Sequence, residues 1–186
     1  LNEGVERLTL SCIMKVDFNG KVIDHKITES FIKSVARLTY TEVHKALTEN
    51  KVNEKTKNLL PHFKMMRELC DVLEANQDKR GALNLEIPEV QFVFDDKGMA
   101  VDLERRERNE AHRLIEDFML LANETVAKHF SDLKIPFVYR VHEAPTKEKV
   151  VALCDFLRGI GVRYPKIPDK ITSKYFQDIL SSVENS

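Results

Sequence analysis

No apolar run in this 186-residue chain approaches the ~20 consecutive residues a membrane-spanning helix needs, and no signal peptide opens it. No membrane partner is therefore expected. Charge of one sign is also lacking: the net charge is −1, so no global basic field draws the chain to nucleic acid, and any polyanion site has to be local. Cysteine is sparse, with Cys12, Cys70 and Cys154 far apart among apolar neighbours and no CxxC spacing. That pattern predicts free, buried thiols and a reducing, cytoplasmic setting. The sequence has no phosphate loop, GxSxG, HExxH or Gly-rich dinucleotide turn. It lacks repeats, low-complexity tracts and any linker long enough to divide domains, so residues 1–186 read as one domain. The opening LNEGVERL carries no Met and reads as the start of an excised piece.

The composition that remains, 32% charged and 42% apolar, belongs to an ordinary soluble globular protein with a sizeable core. ERLTLSCIMKVD alternates, with Leu8, Leu10, Cys12, Met14 and Val16 on one face of a predicted strand. Asn19-Gly20 predicts a type I′ turn, and KVIDHKI returns antiparallel. EVHKALTEN predicts a short helix capped by Thr41, with Tyr40 just ahead of it. Leu59, Leu60, Phe63, Met66, Leu69, Cys70 and Leu73 predict a second helix that has Pro61 in its first turn and Gly81 as its stop. ALNLEI, VQFVFD and MAVDLE alternate as strands, broken at Pro88 and joined by the DDKG turn at Asp95–Gly98. IPFVYRVH predicts a buried strand, KEKVVALCDFLRGIG a helix capped by Thr146, RYPKIPDKITSKY an exposed connection and SKYFQDILSSV a last helix.

Between them lies the longest pattern, Arg105 to Phe130, free of Pro and Gly. Ala111, Leu114, Ile115, Phe118, Leu121, Ala122 and Val126 form one apolar stripe at helical period. A second row shares another face: Arg105, Asn109, His112, Glu116 and Asn123. Asn, His, Glu and Arg in register offer specific donors and acceptors, although a solvated face with intrahelical pairs gives the same spacing. His112 and Glu116, at i and i+4, offer two metal ligands without a third. Glu116 and Asp117 point about 100° apart and do not converge as an acid–base pair. The residues by themselves complete no catalytic constellation. The expected fold is α+β: a mixed, mainly antiparallel sheet with a long central helix and several flanking helices.

RNEAHRLIEDFMLLANETVAKHF resembles the signature helix of the RNase II/RNase R catalytic (RNB) domain, the processive 3′→5′ exoribonucleases. LNEGVERLTLSCIMKVDFNGKVIDHKI, RLTYTEV, KRGALNLEIPE and PFVYRVHEAP resemble further family phrases in the family's order, nearer the RNase R branch. The resemblance implies the central portion of a larger catalytic domain. It also implies Mg²⁺-dependent hydrolysis of single-stranded RNA to nucleoside 5′-monophosphates. The Mg²⁺ ligands would be aspartates preceding the matched segment, and a catalytic arginine would follow it. The chain alone is then expected to hold no metal and to be inactive.

Carried over by position, Tyr40 matches the tyrosine at the RNA 3′ end, and Glu116 matches the helix glutamate that contacts the terminal nucleotides and helps select ribose. A carboxylate accepts from a 2′-OH and a tyrosine ring stacks on a base or sugar. Asn109, His112, Arg113 and Asn123 belong to the same motif and are assigned to RNA lining. Arg108 and Arg140 supply local charge for phosphates. After the RG pair this chain reads ALNL where the family often has an aromatic, so Leu85 offers no ring for stacking. The full-length enzyme is expected to be a monomer, and the shorter chain to self-associate through exposed core surface. Two other readings stand beside this one: a non-catalytic α+β protein-interaction module, and a metal-dependent hydrolase using His112 and Glu116.

Overall fold

Two Asp-x-x-Gly segments shape the β structure. Strand β1 (Glu6–Val16) turns back into β2 (Val22–Lys33), and β3 (Glu89–Phe94) into β4 (Ala100–Arg106), each pair a two-stranded antiparallel hairpin. In both turns the aspartate carboxylate accepts from the backbone two and four residues on: Asp17 from Asn19 and Lys21 at 2.9 Å each, Asp95 from Lys97 at 2.9 Å and Met99 at 2.8 Å. Gly20 and Gly98, at φ 76° and 77°, take the left-handed backbone that returns each strand to the ladder through a register shift. The type I′ turn expected at Asn19-Gly20 does not form. Asn50 and Lys134 are the described non-glycine residues with positive φ, so Asn19 stays right-handed and the Asp17 carboxylate selects the turn.

The structure is a computed structural model that describes every residue except Asn84, Glu86, Ile87, Pro88, Glu107, Asn185 and Ser186. The strand expected over ALNLEI and its break at Pro88 therefore fall outside the described residues. Two compact units divide the chain: Leu1–Leu73 with Glu86–Phe137, and Glu74–Leu85 with Val138–Ser186. No helix among the described residues is long and apolar enough to cross a membrane.

The first unit is arranged around helix α4 (Glu110–Asp132), with α1 (Tyr40–Thr48), the short α2 (Glu54–Lys57) and α3 (Leu60–Arg80) as far as Leu73 preceding it in the chain. Asn109 caps α4, so the helix begins five residues after Arg105, which lies in β4 rather than in the polar helical row. The buried positions of α4 are Ala111, Leu114, Asp117 and Thr125, whereas Ile115 is 40% exposed. The packed face is thus rotated from the expected stripe. It rotates because both buried polar side chains are satisfied there. The Cys70 thiol donates to Asp117 Oδ2 at 2.8 Å, and Thr125 Oγ1 donates to the Leu121 carbonyl at 2.7 Å. Arg67 on α3 bonds Glu110 at 2.8 Å, and on β2 His25 Nε2 lies 2.9 Å from His129 Nδ1.

The β1 alternation is as expected but only part of its face is covered. Cys12, Met14 and Val16 are half-buried, while Leu8, opposite Phe31, and Leu10, opposite Glu29, are 91% and 80% exposed. Cover reaches the His25 end, where β2 meets α4.

In the second unit α5 (Lys147–Gly159) and α6 (Ser173–Glu184) bury Val150, Cys154, Leu157, Tyr175 and Ile179 together. RYPKIPDKITSKY is not an exposed connection, because Tyr164, Ile167 and Ile171 pack against that cluster and Tyr175 belongs to it. IPFVYRVH forms no strand, and Val138 and Val141 are exposed. A strand exists only when paired, and both described hairpins are two-stranded. Gly81 closes α3 at φ 85° as expected, and Gln177 of α6 donates to the carbonyls of Asp78 and Ala82 at 3.2 and 3.3 Å.

Candidate functional site

Tyr40 is the first residue of α1, because Thr39 and not Thr41 is the cap. The Thr39 hydroxyl accepts from the Glu42 N–H at 3.3 Å, and Glu42 Oε2 accepts from the Thr39 N–H at 2.8 Å. This reciprocal box starts the helix two residues earlier than expected and fixes the backbone that carries Tyr40. Bonds from the backbone N–H of Thr39 first, then from its hydroxyl, hold the Glu42 carboxyl below its ordinary range.

The start of α4 is built the same way. Asn109 Oδ1 accepts from the N–H groups of Ala111 and His112 at 3.1 and 3.4 Å, and His112 Nδ1 lies 3.3 Å from the Asn109 N–H and 2.9 Å from Asn109 Oδ1. The rings of Tyr40 and His112 stack at 3.9 Å between centroids and 21° between planes. Two helix N-termini therefore meet at one pair of rings, each carrying a carboxylate in its first turn, Glu42 on α1 and Glu110 on α4.

One turn along α4 from His112, Glu116 is held by a guanidinium fork. Arg108 Nε donates to Oε1 and Oε2 at 3.3 and 3.1 Å, and Nη2 donates to Oε2 at 2.6 Å. Both side chains are nearly half exposed, at 42% for Arg108 and 47% for Glu116, so solvent screens the pair and leaves it exchangeable. A hydroxyl arriving at Glu116 competes with a screened ion pair rather than a buried one.

The fold thus brings Tyr40, Arg108, Asn109, His112 and Glu116 together. Arg113 is half-buried on the same turn of α4. Asn123 is exposed and lies on the Glu116 side of the helix, about 10 Å further along at 1.5 Å per residue. Arg140 is exposed in the second unit. His44, one turn beyond Tyr40 on α1, was not singled out by the sequence. Its Nδ1 is buried with no hydrogen-bond partner among the described residues, and the Tyr-x-x-x-His spacing was the available signal.

The donor set does not suit a hard cation. Mg²⁺ takes several oxygen ligands, but both oxygens of Glu116 face a guanidinium. Among the described residues, His112 and Glu116 also join no third His, Cys, Asp or Glu close enough to share an ion. That removes the geometric basis for a metal-dependent hydrolase at this pair.

The RNB domain matches over residues 1–186. Among curated relatives, Ribonuclease R 1 of Lactococcus lactis is 34% identical over 99% of this chain and 23% of its own length. Ribonuclease R of Thermotoga maritima is 38% identical over 100% of this chain and 26% of its own length. The chain therefore spans about a quarter of the length of the curated relatives it matches. Mycoplasma genitalium RNase R, solved in complex with ribose-methylated single-stranded RNA, superposes with a TM-score of 0.92 at 26% identity, over 99% of this chain and 29% of that one. The same enzyme was also solved with double-stranded RNA, again with a TM-score of 0.92. With a match along its full length, this chain belongs to the RNB domain family.

Proposed function

We propose that this chain is the portion of a processive, Mg²⁺-dependent 3′→5′ exoribonuclease that receives the 3′ end of single-stranded RNA. The carrying observation is the Tyr40–His112 ring stack set one helical turn from the forked Glu116 carboxylate. A flat ring for a base or sugar, an acceptor for a 2′-OH and a nearby guanidinium for a phosphate are what a terminal ribonucleotide requires. The names of the relatives and the RNA in the Mycoplasma structures support the same reading.

In this reading Tyr40 stacks on a terminal nucleotide, Glu116 exchanges Arg108 for the ribose hydroxyl, and the freed guanidinium turns to phosphate. Arg113, Asn123 and Arg140 contribute to lining the RNA path. Hydrolysis to nucleoside 5′-monophosphates belongs to other parts of the longer cytoplasmic enzyme, where aspartates hold the Mg²⁺. This chain alone is then an RNA-binding element without nuclease activity.

The test compares fluorescence anisotropy of a single-stranded RNA with DNA of the same sequence. RNA is expected to bind more tightly, and Glu116→Gln to narrow the gap about tenfold, the worth of one charge-assisted hydrogen bond. Equal affinity for the two polymers in the unmodified chain would refute the reading. Mg²⁺-dependent release of nucleotides by the pure chain would refute the assignment of hydrolysis elsewhere.

A further inference from the structure

We propose that Asn109 and His112 are positioning residues for Tyr40, and not themselves contacts to RNA. The proposal rests on the reading of Tyr40 given above.

Tyr40 stands at the first position of a helix and is 42% exposed, so its ring is only partly enclosed. One face of that ring is closed by His112 at 3.9 Å and 21°. His112 is held in turn, because it occupies the third position of α4, where a capping box normally carries Glu or Gln. Its Nδ1 approaches two groups of Asn109, the backbone N–H at 3.3 Å and the side-chain Oδ1 at 2.9 Å. A bare Nδ1 accepts from the N–H, whereas a protonated Nδ1 donates to Oδ1. The ring keeps a partner in either state. The order of restraint is therefore cap, imidazole, phenol.

The consequence concerns geometry. With one face covered by His112, Tyr40 has at most its other face for stacking, so one flat group stacks on it and nothing threads past. That suits a platform ending a base stack better than one lying within it.

Two substitutions separate the two jobs of His112. Gln at this position retains the acceptor of the capping box and removes the ring, while Phe retains the ring and removes the acceptor. The probes are the ring-proton NMR shifts of Tyr40, assigned with Tyr40→Phe, and anisotropy with a single-stranded RNA oligonucleotide. Circular dichroism checks that α4 persists. His112→Gln is expected to abolish the upfield ring-current shift of Tyr40 and weaken RNA binding about tenfold, the low end of one base–aromatic stack. His112→Phe is expected to keep the shift and to rescue most of the affinity. Asn109→Ser, which still caps the helix, is expected to broaden the Tyr40 resonances while leaving helicity unchanged.

Retention of shift and affinity in His112→Gln would overturn the proposal. So would a His112→Phe variant as weak as His112→Gln despite a retained shift, since His112 would then act on RNA through its nitrogens. If the shifts respond as expected but the unmodified chain prefers DNA, the positioning role stands and the reading of the site falls.

Discussion

Gly81→Ala should destabilise the chain from two sources that a second glycine separates. Gly81 sits at φ 85°, and holding an alanine there costs about 1–2 kcal/mol. A Cβ would also stand 2.8 Å from the backbone nitrogen of Lys174 and 3.0 Å from its Cα. Those are helix backbone atoms, which cannot swing aside as a side-chain end does, so overpacking adds about 1–3 kcal/mol. Stiffening of the unfolded chain offsets about 0.4–1 kcal/mol, leaving a net loss of about 2–4 kcal/mol. Gly98 supplies the control, because it has φ 77° with nothing within 4 Å, so Gly98→Ala should lose only about 1 kcal/mol. Gly159 has neither positive φ nor a near neighbour, and Gly159→Ala in the last turn of α5 should be neutral or stabilising. Urea unfolding followed by far-UV circular dichroism reads all three, and the melting point of Gly81→Ala should fall by roughly 5–15 °C. If Gly81→Ala were no worse than Gly98→Ala, the end of α3 would not be seated on the backbone of α6, and the geometry claimed for that junction would be wrong.

Four other outcomes follow from particular contacts. The Glu42 carboxyl is depressed by its bonds from Thr39, so its contribution is present above the ordinary carboxylate range and lost as pH falls through the lower folded value; Glu42→Gln, which keeps the box, should flatten that acid limb in unfolding curves from pH 7 to 3. Tyr175 is pushed up to about 12 by burial first and by the Cys154 thiol next, so stability should hold to about pH 10 and decline from there toward 12, a decline that Tyr175→Phe should reduce in alkaline denaturation. His129→Ala removes the 2.9 Å bond to His25 and should speed amide exchange along β2, with unchanged exchange arguing that the hairpin is held elsewhere; the loss in stability should be about 1 kcal/mol. Leu8→Lys with Leu10→Lys should lower any concentration-dependent association seen by sedimentation, because both leucines lie open on the same strand face.

Much of this fold is legible in short-range chemistry. The β1–β2 hairpin, α3 with its glycine stop, the DDKG turn and α5 and α6 appear where periodicity and turn residues put them. Two misreadings passed over local signals, the Asp17 carboxylate at the first turn and the Thr-x-x-Glu box at Thr39, and the others concern contacts the local pattern does not contain. Thr39 rather than Thr41 starts α1 because Glu42 completes the box with Thr39. The packed face of α4 turns toward Asp117 and Thr125 because Cys70, 47 residues away, supplies a donor for the carboxylate. IPFVYRVH has the composition of a strand, but its pairing depends on an edge no residue in the run can specify. At the site, the spacing of His112 and Glu116 was visible in the sequence, whereas the stack on Tyr40 joins residues with no periodic relation. Family resemblance, rather than pattern, brought Tyr40 and Glu116 into one frame.

The bond between His25 and His129 joins residues 104 positions apart. During synthesis at ~5–20 residues per second, the β1–β2 hairpin leaves the ribosome roughly 5–20 s before the end of α4 that partners it. A hairpin forms within microseconds but is only marginally stable by itself, so for that interval β1 and β2 must pair without the His129 contact, with Leu8 and Leu10 in solvent. The nascent hairpin is then open to chaperones, and to its neighbours on the same messenger RNA, before the helix end that contacts it has been made.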